Sequence, residues 1–178
     1  GRSRAAAAAL EGKIYLMGGH LMGGHGASRK VEAFDPQAGA WAEVAPMLTG
    51  RQAAAAAVVG GRLFAIGGWR GGNDLSTVEA FDPQTGAWAA VAPMPMVRYG
   101  ARAAVLDGKI YVVGGRDGTT RLATVEVYDP ASNVWSQAPP MGTARGSMGV
   151  AALGGKIYVA GGHDGGDDLC SAEVFDPQ

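Results

Sequence analysis

The hexapeptide Val-Glu-Ala-Phe-Asp-Pro at Val31–Pro36 returns unchanged at Val78–Pro83, as Val-Glu-Val-Tyr-Asp-Pro at Val125–Pro130, and as Ala-Glu-Val-Phe-Asp-Pro at Ala172–Pro177, each 47 residues after the last. A fixed period of this length means one supersecondary unit copied four times. Such units bury a core only by stacking on their neighbours. Other landmarks keep the same beat. Glycine doublets stand at Gly18/Gly19, Gly67/Gly68, Gly114/Gly115 and Gly161/Gly162, each after an apolar run. Trp41, Trp88 and Trp135 are each followed by Pro-Met and then by Arg51, Arg98 or Arg145, a tail the last copy does not have. Between its doublet and its Val-Glu pair the first copy is two residues longer than the others, so His20–Lys30 reads as a loop that tolerates insertion.

The period also decides how the composition should be read. Thirty glycines in 178 residues would suggest disorder if scattered, but their regular placement makes them turns. A formal charge of −1 supplies no field to steer nucleic acid or an anionic membrane, and no apolar stretch approaches the roughly 18 residues of a membrane span. The single cysteine, Cys170, has no internal disulfide partner and no glycosylation acceptor occurs, so the chain is read as cytoplasmic. Gly1-Arg2-Ser3-Arg4 has neither an initiator Met nor a leader pattern, and the chain is expected to be cut from something longer.

Each unit holds four short β-like runs, in the second copy 53–59, 62–66, 77–81 and 87–91, separated by Gly-Gly, Gly-Gly-Asn-Asp and Asp-Pro-Gln-Thr-Gly turn chemistry. Four strands in one period leave only hairpin-length connections, so each unit is expected to be a small antiparallel sheet. The alanine runs at 5–9 and 53–57 favour helix by propensity. Their counterparts carry Gly149, Val105 and Val150, and repeat equivalence overrules propensity. Small side chains suit an innermost strand, where radially arranged sheets crowd a channel.

The third copy, Gly-Lys-Ile-Tyr-Val-Val-Gly-Gly-Arg-Asp-Gly followed by Thr-Val-Glu-Val-Tyr-Asp-Pro, a tryptophan, Pro-Met and an arginine, resembles the kelch repeat of the BTB-kelch adaptor proteins. The fold expected is an all-β kelch-type propeller of four antiparallel blades, the last lacking its outer strand. It forms one domain over 1–178, with repeats at about 1–47, 48–96, 97–143 and 144–178. The chain is expected to be part of a larger ring, or one of two chains that associate to complete one. Residues found in every copy are scaffold first. The tryptophans fill space between blades, and Glu32, Glu79, Glu126 and Glu173 pair locally, with Arg51, Arg98 and Arg145 as candidate partners.

No catalytic set emerges. Ile follows Lys13, Lys109 and Lys156 where a phosphate loop needs Ser or Thr. His20 and His25 are too few for zinc and have no Cys or carboxylate beside them. Asp164, Asp167 and Asp168 lack the order of a calcium loop and read as a solvated turn. The chain is therefore read as a non-enzyme without metal or cofactor. What remains are the residues after each doublet that break the repeat: His20, Trp69-Arg70, Arg116-Asp117 and His163-Asp164, extended by Arg121, Asn73, Thr119 and Thr120. Trp69 is either an interface anchor or folded back on its own blade.

In the family resembled, these loops and the start of the innermost strand form the partner-binding face. The strand-start position falls on Arg4, Ala53, Gly100 and Ser147, of which Arg4 and Ser147 have the polar character of a contact. The resemblance implies a protein or peptide ligand on that face and substrate recruitment to a cullin-type ubiquitin ligase. The BTB and BACK regions that would contact the ligase are not among these residues. It also implies alternatives: a sugar-processing enzyme similar to sialic-acid epimerases, or a purely structural scaffold. Galactose oxidase, another kelch propeller, needs a Cys–Tyr cross-link and copper-ligating histidines that this sequence does not reproduce.

Overall fold

Alternation of buried and solvent-facing side chains over five residues, closed by turn residues on both sides, yields strands of nearly constant length. The computed structural model describes residues 1–21 and 26–177. Blade 1 consists of Ala6–Leu10, Lys13–Met17, Val31–Asp35 and Ala40–Val44; blade 2 of Ala55–Val59, Arg62–Ile66, Val78–Asp82 and Ala87–Val91. Blade 3 consists of Arg102–Leu106, Lys109–Val113, Val125–Asp129 and Val134–Ala138, and blade 4 of Gly149–Leu153, Lys156–Ala160 and Ala172–Phe175. Within each blade the strands follow chain order, innermost to outermost, with antiparallel neighbours. The four sheets stand radially, innermost strand beside innermost strand. This is a kelch-type arrangement of three four-stranded blades and one of three strands, as the period leads one to expect. The alanine runs are strand, not helix. The innermost strand of blade 2 begins at Ala55 rather than Ala53, because Ala53 adopts a left-handed φ of 50°.

The core is three inter-blade layers. Tyr15, Met17 and Ala33 of blade 1 meet Leu63, Ala65, Phe81 and Trp88 of blade 2. Phe64, Ile66 and Ala80 meet Ile110, Val112 and Tyr128 of blade 3. Tyr111, Val113 and Val127 meet Ile157 and Val159 of blade 4. Period-2 strands thus send one face to each neighbour, so the middle blades bury both faces. The end faces are exposed: Ile14 and Trp41 on blade 1, Leu153, Tyr158 and Val174 on blade 4.

Three repeated devices lock the blades. The Asp-Pro turns are Asx motifs in which Asp35, Asp82 and Asp129 accept the amides two and three residues on. In blades 2 and 3 the tryptophan nitrogen reaches the preceding blade, Trp88 donating to the Ala45 carbonyl at 2.9 Å and Trp135 to that of Ala92 at 2.8 Å. The second glycine of the first three doublets donates to the next connection, Gly19 to the Arg51 carbonyl, Gly68 to that of Arg98 and Gly115 to that of Arg145. A side chain on the first glycine would collide with that same carbonyl, 2.6 Å from a Cβ at Gly67, and its φ of 60° independently favours glycine.

The repeated arginines complete the frame. Arg51 pairs with Glu79, Arg98 with Glu126 and Arg145 with Glu173, while also donating to the first doublet glycine's carbonyl. Glu32 pairs instead with Arg2 and Lys30. Arg2 is the first member of the arginine series, hidden from the sequence reading because no Trp-Pro-Met tail precedes it. Glu79 and Glu173 also accept backbone amides from the tail of the preceding blade, at Leu48 and Thr49 and at Gly142 and Thr143.

Candidate functional site

Antiparallel order places the loops after the doublets and the starts of the innermost strands on one face. Backbone pairing joins them there: Trp69 exchanges hydrogen bonds with Gln52, Arg116 with Tyr99, and His163 with Gly146. The loops are themselves ordered. Trp69–Arg70 pairs with Asn73–Asp74, Arg116–Asp117 with Thr120–Arg121, and His20–Leu21 with Arg2–Ser3. These small hairpins were not foreseen, because two-residue strands carry no periodic signal.

At the rim of the channel, Arg4, Ala53, Gly100 and Ser147 all have left-handed φ, between 50° and 65°. Their backbones form a relay across the blades, in which Ala53 donates to Arg4, Gly100 to Ala53 and Ser147 to Gly100 at 2.8–3.0 Å. Left-handed conformation is costly for residues with a Cβ, and it persists here because these bonds overdetermine it; strain of this kind clusters at functional sites. The relay surrounds a cavity of about 380 Å³ walled by alanines of the innermost strands and lined by Arg4, Arg102, Tyr99 and Ser147. No carboxylate lines it, so its polar character is cationic. Arg102 and Tyr99 were missed from the sequence. The signal was present, since Arg102 is the one charged residue in the four innermost strands.

Two open grooves lie outside the rim. One is lined by Ser3, Arg4, His20, Gln52 and Trp69, the other by Trp69, Asp74, Val97, Arg116 and Asp117. Trp69 is half-buried and forms a wall of both. Arg116 stacks over the Tyr99 ring at 4.3 Å and lies 3.7 Å from Asp74, whose other oxygen accepts the Gly118 amide. Arg116 therefore ties blade 2 to blade 3 as well as facing the groove. The Nδ1 atom of His20 is buried without a partner among the described residues.

Of the predicted residues, Arg4, His20, Trp69, Arg116, Asp117 and Ser147 are thus brought to the channel mouth and its two grooves. Arg121 extends toward blade 4, where a Cβ at Gly146 would lie 3.0 Å from its Nη1. Arg70 is exposed and lines none of the three hollows. His163 accepts the Gly165 amide at Nδ1. Asp164 accepts the amides of Asp167 and Gly166, which hold its carboxyl below the usual range, so this loop is an Asx turn. His25 lies outside the described residues. Among the described residues no group of three His, Cys, Asp or Glu is placed to hold a metal. Among the described residues no helix is long and apolar enough to cross a membrane.

The Kelch motif model matches residues 1–48, 50–95, 98–142 and 144–178, nearly the whole chain. The chain belongs to the kelch-repeat family. Within this family it is similar to Kelch-like protein 31 of Danio rerio, with 40% identity over 55 residues, which is 29% of this chain and 9% of that protein. In three dimensions this kelch chain is similar to the structure of YjhT, with a TM-score of 0.80 at 17% identity, covering 90% of this chain and 59% of that one. At that identity the likeness concerns the fold. The chain spans less than two thirds of either relative.

Proposed function

We propose that the kelch chain recognises a protein or peptide ligand on the face that carries the post-doublet loops, with Trp69 as its anchor. The observation that carries this reading is the position of Trp69: half-buried, wall to two grooves, and without an aromatic counterpart in the other copies. Aromatic and Arg side chains at the centre of a patch are the commonest interface hot spots. The loops differ from copy to copy, which gives an asymmetric surface, whereas the Asx turns opposite are alike. A cytoplasmic adaptor role, with recruitment to a ubiquitin ligase as its finer form, rests on the resemblance of the repeats to those of the BTB-kelch proteins, because the match to Kelch-like protein 31 covers 55 residues and 9% of that protein. Peptides selected on the chain by phage display should lose about 2 kcal/mol or more of affinity on Trp69→Ala. Because Trp69 is half-buried, the fold should lose less than the binding does, about 1 kcal/mol. Unchanged affinity with a lowered Tm would make Trp69 packing and overturn the choice of face. Gln84, on the opposite side, is the control position.

A second reading, a sugar-processing enzyme, is favoured by the channel mouth. Two guanidinium groups, a phenol and a hydroxyl converge on a cavity of about 380 Å³ without an opposing carboxylate, a size and charge suited to a monosaccharide bearing an acid group. Calorimetric titration with sugar acids separates the readings. Binding lost in Arg102→Ala but kept in Trp69→Ala supports the enzyme, and the reverse dependence with selected peptides supports the adaptor.

A further inference from the structure

Where each loop after a doublet meets the start of an innermost strand, two residues stand directly opposite each other: Ser3 and His20, Gln52 and Trp69, Tyr99 and Arg116, Gly146 and His163. Residues so placed in an antiparallel pair project to the same face and are close enough to satisfy each other. The third pair does so, with the Arg116 guanidinium over the Tyr99 ring at 4.3 Å. In the fourth, glycine offers no side chain, and His163 Nδ1 accepts the Gly165 amide at 2.9 Å. The first two pairs differ. Gln52 is 6% exposed, yet its Oε1 atom is buried without a partner among the described residues, and the same holds for Nδ1 of His20. The Gln52 backbone is fixed, since it exchanges hydrogen bonds with Trp69 in both directions at 2.9 and 3.1 Å.

Both unsatisfied pairs face one hollow, at the seam of blades 1 and 2, whose walls include Ser3, Arg4, His20, Gln52 and Trp69. No carboxylate is among the described residues that line it. A buried acceptor without a donor is costly, and polar groups left in this state inside a protein call for a partner. The walls decide what that partner is. In the tautomer with its hydrogen on Nε2, His20 offers Nδ1 as an acceptor, so the hollow holds two unspent acceptors. An ammonium or guanidinium group could donate to both, but Arg4 lines the same hollow and nothing there offsets a second cation. A hydroxyl brings one hydrogen. A primary carboxamide is neutral, carries two hydrogens on one nitrogen, and is flat enough to lie against an indole.

We propose that the hollow between blades 1 and 2 is a subsite for the side chain of an asparagine or glutamine in the peptide ligand. Gln52 and His20 take its two N–H groups, and Trp69 covers its face. This rests on the reading of the loop face as a peptide-binding surface and gives that surface a residue preference. Arg4, exposed at the edge of the hollow, supplies a charge for a carboxylate elsewhere in the same peptide.

The probe is a random-peptide phage library selected on the chain, with Trp69→Ala used to sort out the peptides that need the loop face. We expect an asparagine or glutamine at one fixed position of the Trp69-dependent peptides. Its replacement by aspartate or glutamate, nearly the same in shape, should lower affinity about tenfold or more in fluorescence anisotropy, whereas simple attraction to Arg4 would raise it. In Gln52→Met that discrimination should be largely lost without a fall in Tm, because the variant keeps the stem and removes an unpaired buried acceptor. His20→Phe should weaken the discrimination independently. Trp69-dependent peptides without a carboxamide, equal or tighter binding of the carboxylate forms, or unchanged discrimination in Gln52→Met would each overturn this inference and leave the peptide-binding face standing. A library that yields no Trp69-dependent peptide would overturn both.

Discussion

The repeated arginine–carboxylate pair offers one chemistry in two environments within a single molecule. Arg98 is buried with its side chain 0% exposed, donating to Glu126 at 2.9 Å, to the carbonyls of Gly114 and Thr124 at 2.7 and 3.0 Å, and to the Thr124 hydroxyl at 2.7 Å. Replacing it by methionine keeps the stem and removes the charge. Glu126 is then a buried carboxylate without its cation and the Gly114 carbonyl loses this donor. Breaking a buried pair from one side costs about 3–5 kcal/mol. With Tm moving about 2–4 °C per kcal/mol in a chain of this size, the expected loss is on the order of 10 °C. Arg145→Met removes the same bonds around Glu173, but that carboxylate is 26% exposed and regains water, so about 2 kcal/mol is expected after solvent screening. Converting the pair together, Arg98→Met with Glu126→Leu, should recover much of the loss, because no charge stays behind. Urea unfolding, with exchange of blade 3 amides as a local readout, measures all three. If Arg98→Met costs under about 1 kcal/mol, or no more than Arg145→Met, burial is not what sets the strength of these pairs.

Acid should weaken the fold. For Glu173 burial opposes ionisation, but the amides of Gly142 and Thr143 and the charge of Arg145 outweigh it, and for Glu32 the bond from Lys30 acts in the same direction. Both folded carboxyls lie below their unfolded values, so the unfolded chain binds more protons in that window, and stability present above about pH 4.5 is lost as pH falls further; Glu173→Gln should flatten this slope in urea titrations at several pH values. Two glycines with left-handed φ should differ sharply. A Cβ at Gly100 meets the flexible Ser147 hydroxyl at 3.3 Å and the Ser147 backbone nitrogen at an ordinary 3.9 Å, whereas one at Gly67 meets a backbone carbonyl at 2.6 Å. Thermal melts should show Gly100→Ala losing about 1 kcal/mol and Gly67→Ala several times more. Far-UV circular dichroism should show β structure with almost no helix, and a helical fraction near the globular average of about one third would contradict the fold.

The period, the turn chemistry and the alternation along each run determined the blades from sequence, because strand formation and Asx turns are local. The equivalence of copies also settled the alanine runs, where propensity alone points to helix. The pairing of Glu79, Glu126 and Glu173 with the repeated arginines could be read from the same beat. Tertiary structure decided what spacing does not encode. Arg2 joins the arginine series only because the polypeptide folds it beside Glu32. Tyr99 and Arg102 reach the channel mouth because blades converge there, and Ala53 takes a left-handed conformation because Arg4 and Gly100 hold it across blade boundaries. Trp69 becomes the wall of two grooves through contacts between units rather than within them. Sequence repeats specify the unit, whereas a site made where units meet depends on how they are set against one another.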